Sequence, residues 1–235
     1  MSWNWQAIIT HFPELLKASI TTLELVALSS IIGLIFGVVL ALLRLSKNPL
    51  VQVFPFLYIF FFRGTPLLVQ IFLIYYGLGQ FKAIQESVLW KPVLSQAYWC
   101  AIIAFTLNTA AYVAEIVRGA IQAVPRGELE AADALGMSPV QKFTRITLPR
   151  AFGIMIPAYS NEVIFMLKGS ALASTITVMD LMYASKVIIA KTYLTLEIYF
   201  AAGIIYLMIS WIILALFRLF DHSFNKHKRY NPIQK

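Results

Sequence analysis

Three ionisable side chains lie inside long apolar runs and are the first candidates for chemistry. Arg63 interrupts one run, and Glu162 and Lys168 interrupt another. Charged groups are rare in hydrocarbon, and they usually face a cavity, a partner charge or a ligand. A carboxylate in such a cavity needs a positive partner, so Glu162 suits a cationic ligand. The alternative is a structural ion pair between Glu162 and Lys168 or Arg63, and the sequence leaves both interpretations open.

Two polar residues directly precede Glu162. Ser160, Asn161 and Glu162 offer a hydroxyl, an amide and a carboxylate in a row. Neighbours on a regular helix point about 100° apart, so these groups converge only if the helix opens. Pro157 favours such an opening, and a broken helix around a mid-membrane cavity is a common transporter site. We therefore predict that all three residues contact a substrate.

A second candidate is the sequence Arg63-Gly64-Thr65-Pro66, which interrupts another apolar run. Arg63 could hold a substrate carboxylate in a bidentate fork. It could equally bond to carbonyls that the interruption frees, and this structural role is favoured. Gly64 and Thr65 are then expected to line the cavity. Asn108, in a third run, is interpreted as an interhelical hydrogen-bonding residue.

The sequence contains no constellation typical of an enzyme. It has no G-x-x-x-x-G-K-[ST] phosphate loop. His11, His222 and His227 lie at the two ends of the chain, and Cys100 is the single cysteine. We therefore expect no catalytic residues, no metal and no cofactor in this chain. If ATP drives its activity, another chain must hydrolyse the ATP.

Composition and apolar runs indicate an all-α integral membrane protein. Of 235 residues, 60% are hydrophobic and only 13% are charged, whereas soluble domains carry about 25% charged residues. No internal duplication is visible, which argues against an ion-driven carrier built from repeats. The runs predict five transmembrane helices in a single domain. They cover residues 19–43, 50–76, 98–117, 151–179 and 197–218.

The net charge of +8 is better explained by membrane orientation than by nucleic-acid binding. Five spans place the termini on opposite sides, and the side richer in Lys and Arg should be cytoplasmic. This predicts an external N-terminus and a cytoplasmic C-terminus. The poorer side holds Lys17, Lys82, Lys91, Lys186 and Lys191. The richer side holds Arg44, Lys47, Arg118, Arg126, Lys142, Arg145, Arg150, Arg218, Lys226, Lys228, Arg229 and Lys235.

A polar segment, residues 126–149, separates the third and fourth predicted spans. Acidic residues near its start favour the positive end of a helix dipole. Gly136 is predicted to end that helix. Ser138 is predicted to cap a second helix in a capping box with Gln141, and Pro149 to close it. The segment therefore predicts a compact helix–turn–helix that we call the knuckle.

The knuckle also carries a recognisable pattern. Glu130-Ala131-Ala132, Gly136 and Ile146-x-Leu148-Pro149 resemble the EAA signature of ABC-importer permeases. In that family the first short helix is the coupling helix, which docks on a cytoplasmic ATPase. The resemblance therefore implies that Glu130, Ala131, Ala132 and Gly136 contact an ATPase.

Two further stretches narrow the resemblance. FRGTPLLVQIFLIYYG (residues 62–77) resembles the second span of polar amino-acid ABC permeases. YSNEVIFMLKGSAL (residues 159–172) resembles the fourth span of the subgroup that imports basic amino acids. The stretch GTPLLVQIFLIYYGLGQF (residues 64–81) resembles the arginine-transport permeases in particular. In that family the positions of Asn161 and Glu162 line the amino-acid site, and Gly169 departs from the Asp or Ser of many relatives.

The resemblance implies a type I importer architecture in a bacterial inner membrane. It implies a cytoplasmic ATPase dimer, a second permease subunit that is often a different chain, and a periplasmic amino-acid-binding protein. The expected function is import of arginine or a related basic amino acid. Glutamine, histidine or another polar amino acid is the alternative cargo, and an ion-driven amino-acid carrier is the alternative class.

Overall fold

The computed structural model describes residues 3–224, and all regular structure in that range is helical. This confirms the all-α prediction. Helices satisfy every backbone donor and acceptor internally, which a chain in hydrocarbon requires. The basic residues predicted for the C-terminal tail lie outside the described residues. They are Lys226, Lys228, Arg229 and Lys235.

Ten α-helices follow one another along the described chain, joined by short π-helical and 3₁₀ turns. The π turns are Leu73–Gly77, Trp90–Leu94 and Phe143–Thr147, and the 3₁₀ turns are Leu78–Gln80 and Ser170–Ile176. The α-helices are α1 Trp5–Arg44, α2 Pro49–Gly64, α3 Leu67–Phe72, α4 Lys82–Gln85, α5 Ala97–Gln122, α6 Arg126–Ala134, α7 Pro139–Lys142, α8 Leu148–Gly169, α9 Leu181–Thr192 and α10 Thr195–Phe224.

Three of these helices, α1, α5 and α10, are long and apolar enough to cross a membrane. Two bent pairs also qualify together. The first is α2 with residues 67–80, bent by 108°, and the second is residues 139–176 with α9, bent by 51°. The described chain thus has up to five spans if each bent pair is one span, and the predicted span boundaries remain a prediction. Helix α1 begins at Trp5, well before residue 19.

Helices α1 and α5 pack closely through two glycines of α1. A Cβ on Gly33 would lie 2.8 Å from Cγ2 of Thr109, and one on Gly37 would lie 2.6 Å from the Val113 side chain. These glycines form a G-x-x-x-G pattern, which allows close backbone approach between membrane helices. Because α5 is the most buried of the three long helices, this contact anchors the centre of the protein.

Helix α8 lies between two apolar clusters. On one side Leu167 packs with residues of α9 and α10, including Ile188 and Ile205. On the other side Met166 packs with Ile71 and Phe105. Since both sides of α8 are packed, the direction in which each of its polar residues points is fixed by the fold.

The knuckle forms by local hydrogen bonding, as the sequence predicts. Helix α6 ends at Ala134, and Gly136 follows with a φ of 72°. The Met137 N–H donates to the Ala132 carbonyl at 3.1 Å, which completes a Schellman turn. Ser138 and Gln141 form the predicted capping box, with bonds of 3.0 and 3.3 Å. The helix end at Gly136 and the second helix start are therefore confirmed.

The prediction that Pro149 closes the second helix is wrong. Helix α7 passes through a π turn, Phe143–Thr147, directly into α8, and Pro149 lies in the first turn of α8. The π turn directly before Pro149 already departs from α-helical hydrogen bonding, which accommodates a residue without an N–H. The knuckle is consequently continuous with the helix that carries Glu162.

Candidate functional site

The break between α2 and α3 falls at Thr65 and Pro66. Thr65 is extended, with φ −116° and ψ 146°, as expected for a residue before proline. The Gln70 amide donates to the carbonyls of Phe62 at 2.9 Å and Thr65 at 3.0 Å, and to the Thr65 hydroxyl at 2.8 Å. Asn108 donates to Gln70 Oε1 at 3.0 Å and to the Phe62 carbonyl at 3.3 Å. Two side-chain amides therefore satisfy the carbonyls that the break frees.

The bonds between Arg63 and the freed carbonyls that the sequence led us to expect are not formed among residues 3–224. The Arg63 guanidinium lies 5.2 Å from the centre of the Tyr112 ring, whereas Gln70 and Asn108 donate to the freed carbonyls. Arg63 and Gly64 line a cavity of about 340 Å³ together with Arg44 and Glu115. We call this the arginine cavity.

Glu162 lines a separate cavity of about 340 Å³, which we call the glutamate cavity. The glutamate side chain is buried, with 7% of the residue exposed. Asn108 also faces this cavity, so it combines the predicted interhelical bond with a place on the cavity wall. The lining residues are Leu67, Asn108, Tyr112, Glu162, Phe165 and Met166.

No Lys or Arg nitrogen among residues 3–224 lies within 4.0 Å of the Glu162 carboxylate. The structural ion pair with Lys168 or Arg63 is therefore not formed. Lys168 is exposed near the end of α8. Arg63 does not line the glutamate cavity, but its guanidinium contacts the ring of Tyr112, which does. The two cavities thus meet at the Arg63–Tyr112 contact.

Ser160 and Asn161 do not join Glu162. They line a third cavity of about 210 Å³ between α8 and α10, which includes Pro157 and Arg218. Helix α8 runs through Pro157 without opening, so consecutive residues point in different directions. The expectation that the three polar groups converge is wrong for this reason.

Gly64 and Thr65, the two further predicted cavity residues, also separate. Gly64 lines the arginine cavity. The Thr65 hydroxyl is taken up by the helix break, because it donates to the Phe61 carbonyl at 2.8 Å and accepts from Gln70. Thr65 therefore shapes the break and is not among the residues that line either cavity.

Residues 33–226 match the family model of the binding-protein-dependent transport system inner membrane component. The chain belongs to this family. It is 44% identical to the octopine transport system permease of Rhizobium radiobacter, over 97% of this chain and 91% of that protein. It is 41% identical to the arginine ABC transporter permease of Haemophilus influenzae, over 94% of this chain and 96% of that protein.

A solved structure agrees with these relatives. The crystal structure of an amino acid ABC transporter with histidines superposes with a TM-score of 0.84. It is 34% identical and covers 95% of this chain and 100% of that chain. The chain is accordingly an inner-membrane permease of the amino-acid ABC transporter type, with the all-helical fold that the sequence predicts.

The predicted ATPase-coupling residues of this permease lie together on α6 and the turn after it. Glu130 and Ala131 are exposed, and Ala132 is buried with 2% exposure, so α6 presents one face outward and holds the other against the protein. Beyond the turn at Gly136, Val140 is 71% exposed, and Leu135 before it is 77% exposed. This outward surface of small, acidic and apolar residues suits a groove on another protein.

Two residues that shape the cavities of this permease were missed by sequence reasoning. Gln70 is buried at the helix break, and Tyr112 lines the glutamate cavity and contacts Arg63 of the arginine cavity. An amide inside an apolar run is a usable signal, because membrane helices bury such groups only with partners. Tyr112 carried no comparable signal, since tyrosine is common both in packing and in interfacial belts.

Proposed function

We propose that this permease is one transmembrane subunit of an ATP-driven importer of arginine or a related basic amino acid, with Glu162 contacting the cationic part of the substrate. The observation that carries the proposal is a buried carboxylate that faces a cavity and has no ion-pair partner among residues 3–224. A buried charge of this kind is costly until a cation neutralises it. The relative from Haemophilus influenzae that is named for arginine supports the same substrate class.

The cavity walls fit the remaining parts of a basic amino acid. Tyr112 and Phe165 offer aromatic faces, which attract guanidinium and ammonium groups. Arg63 lines the neighbouring arginine cavity, and in this proposal it donates to the substrate carboxylate in a bidentate fork. A negative group at Glu162 and a positive group at Arg63 thus match the two ends of a zwitterion that carries an additional positive charge.

Energy for transport comes from another chain in this proposal, because the 235 residues hold no phosphate-binding loop. The partners are a cytoplasmic ATPase dimer on the knuckle, a second permease subunit and a periplasmic binding protein. The family description, with its dependence on a binding protein, supports this assembly. The charge distribution supports an external N-terminus and a cytoplasmic knuckle.

The test of the substrate site is Glu162→Gln in the reconstituted transporter. Removing the charge should raise the KM for arginine by about tenfold or more, since a hydrogen bond to a charged group contributes about 2 kcal/mol. Glu24→Gln is the matched control, because Glu24 is an exposed carboxylate on α1 outside both cavities. Unchanged arginine uptake by Glu162→Gln would refute the ligand role.

Octopine is a second candidate substrate. It is an arginine whose α-amino group carries an additional carboxylate-bearing substituent, and a relative named for octopine is 44% identical to this chain. The arginine cavity favours it, since Arg44 and Arg63 offer two guanidinium groups for two carboxylates. Competition of labelled arginine with unlabelled octopine, histidine and glutamine decides among these substrates. Displacement by glutamine alone would contradict both basic candidates.

The coupling role of the knuckle is tested at Gly136. A Cβ there would meet open space, but the φ of 72° disfavours any L side chain and a β-branched one most. Gly136→Val should therefore distort the turn and lower uptake per ATP hydrolysed. We expect a decrease of about tenfold, which lies within the range that typical coupling free energies between two sites produce. Gly127→Val is the control, because Gly127 also has open space and lies in α6 without a positive φ. Normal coupling in Gly136→Val would contradict the knuckle's role.

A further inference from the structure

Both ends of α6 are held by ion pairs, and the two pairs differ in what they join. At the start of α6, Arg150 Nε donates to Glu128 Oε2 at 2.7 Å, and Arg150 Nη2 donates to Glu128 Oε1. At its end, Lys142 Nζ donates to both oxygens of Asp133, at 2.6 and 2.8 Å. The Asp133–Lys142 pair closes the knuckle on itself. The Glu128–Arg150 pair reaches out of the knuckle to the first turn of α8.

Few other contacts fix the direction of α6. The helix has nine residues, and only Ala132 is buried in it. Leu129 is half-buried against an apolar cluster that includes Ala151. A helix of this length is not stable alone, so its orientation depends on what holds it. The chain that enters α6 from α5 passes through Pro125 with a ψ of 130°, which is not helical.

Helix α8, by contrast, continues without a break from Leu148 to Gly169. Arg150 lies in its first turn and Glu162 further along the same helix. At 1.5 Å per residue, the two lie about 18 Å apart along the axis. Both sides of α8 are packed, so a displacement at Arg150 reaches the glutamate cavity without an intervening hinge.

We propose that the Glu128–Arg150 ion pair is a joint that fastens α6 to α8, so that movement of the knuckle is transmitted directly to the helix that carries Glu162. The inference rests on the proposed function, in which an ATPase moves the knuckle. Glu128 and Arg150 are positioning residues in this arrangement. Neither residue lines the glutamate cavity.

The Glu128–Arg150 ion pair is better suited to fixing the orientation of α6 than to stabilising the folded protein. Both side chains are partly exposed, at 42% for Arg150 and 30% for Glu128, and such pairs contribute little to the free energy of unfolding. A bidentate contact between a planar guanidinium and a carboxylate nevertheless fixes distance and angle together. Loss of the pair should therefore leave the protein folded while the angle between α6 and α8 becomes variable.

The first experiment measures that angle without ATP or substrate. Spin labels at Ala134→Cys on α6 and Ala158→Cys on α8, both exposed positions, are introduced into a Cys100→Ser chain of the assembled transporter. Pulsed electron paramagnetic resonance gives the distance distribution between them. The unmutated pair should give a narrow distribution, Arg150→Gln and Glu128→Gln a distribution about twice as wide, and Glu128→Arg with Arg150→Glu a narrow one again.

Lys142→Gln is the matched control, because it breaks the other ion pair of α6. Its distribution should broaden less, since Lys142 lies in α7 and the π turn Phe143–Thr147 stands between that residue and α8. Unchanged widths in Arg150→Gln and Glu128→Gln, equal broadening by Lys142→Gln, or a reversed pair as broad as the single variants would each overturn the joint.

The second experiment measures uptake per ATP hydrolysed in liposomes. Arg150→Gln and Glu128→Gln should lower this ratio by about tenfold, with the KM for substrate unchanged, and the reversed pair should restore it. A merely structural role would lower assembly and leave the ratio intact, which would overturn the inference. If the unmutated transporter shows no ATP-driven amino-acid uptake, the proposed function fails, and the distance measurement still decides whether the joint exists.

Discussion

The α2–α3 pair and α8 both carry glycine and proline inside apolar runs, yet only the first is broken. The chain bends by 108° after Gly64, whereas α8 runs through Pro157 as one helix. Pro13 in α1 and Pro55 in α2 are also accommodated without a break. Proline alone therefore does not decide where a membrane helix of this protein opens.

The difference lies in the partners available to the freed carbonyls. At the break, Gln70 and Asn108 donate to the carbonyls of Phe62 and Thr65. In hydrocarbon an unsatisfied carbonyl costs several kcal/mol, so a break persists only where donors are supplied. The broken segment contributes Leu67 and the unbroken α8 contributes Glu162 to the same cavity. The broken segment shapes the wall of the glutamate cavity, and α8 places the carboxylate in it.

The largest expected effect comes from Gln70→Met, which keeps the side-chain length and removes the donor. The Thr65 carbonyl and hydroxyl then both lose the hydrogen bond from Gln70, although the hydroxyl still donates to the Phe61 carbonyl. We expect a loss of about 3 kcal/mol in the free energy of unfolding. Thermal unfolding of the detergent-solubilised protein measures this loss. Gln80→Met is the control, because the exposed Gln80 amide makes a single bond of 3.3 Å. Equal stability of the two variants would show that the break does not depend on these donors.

Asn108→Leu should have a smaller effect on stability, about 1 kcal/mol. Gln70 continues to donate to the Phe62 carbonyl at the shorter distance, 2.9 Å against 3.3 Å for Asn108. Combining it with Gln70→Met gives a double-mutant cycle, and the two losses should be less than additive since the residues share a bond and an acceptor. Strict additivity would separate Asn108 from the network at the break.

The smallest expected effect belongs to Pro157→Ala. Because α8 is already unbroken at this position, alanine should change the free energy of unfolding by less than about 1 kcal/mol, towards greater stability. Arginine uptake should be retained, which a transport assay in membrane vesicles checks. A severe loss of uptake at normal stability would mean that α8 opens at Pro157 during transport, and the contrast between the two regions would no longer hold.

The sequence was sufficient for features whose partners lie a few residues apart. The end of α6 at Gly136 and the capping box of Ser138 with Gln141 follow from local hydrogen bonding. The interruption near Pro66 was also predictable, since the residue before a proline avoids the helical region. Membership of the ABC-importer permeases could be inferred from the spacing of the EAA pattern, and the family match confirms it.

The candidate site was only partly predictable. Glu162 could be named from its charge in an apolar run, but its separation from Ser160 and Asn161 depends on an unbroken α8. The sequence also could not show that Gln70 and Asn108 donate to the freed carbonyls while Arg63 lies against Tyr112. Each of these outcomes is a competition among side chains from different helices.

The amino-acid sequence by itself determined that this chain is helical, membrane-embedded and capped into a knuckle, because backbone satisfaction and capping act over a few residues. Only the tertiary structure decided which polar groups meet. Gly33 and Gly37 set how closely α1 approaches α5, and that approach is part of the packing that turns each helix about its axis. The direction in which a side chain points depends on how its helix is rotated about its axis. That rotation arises from contacts between residues far apart in the chain.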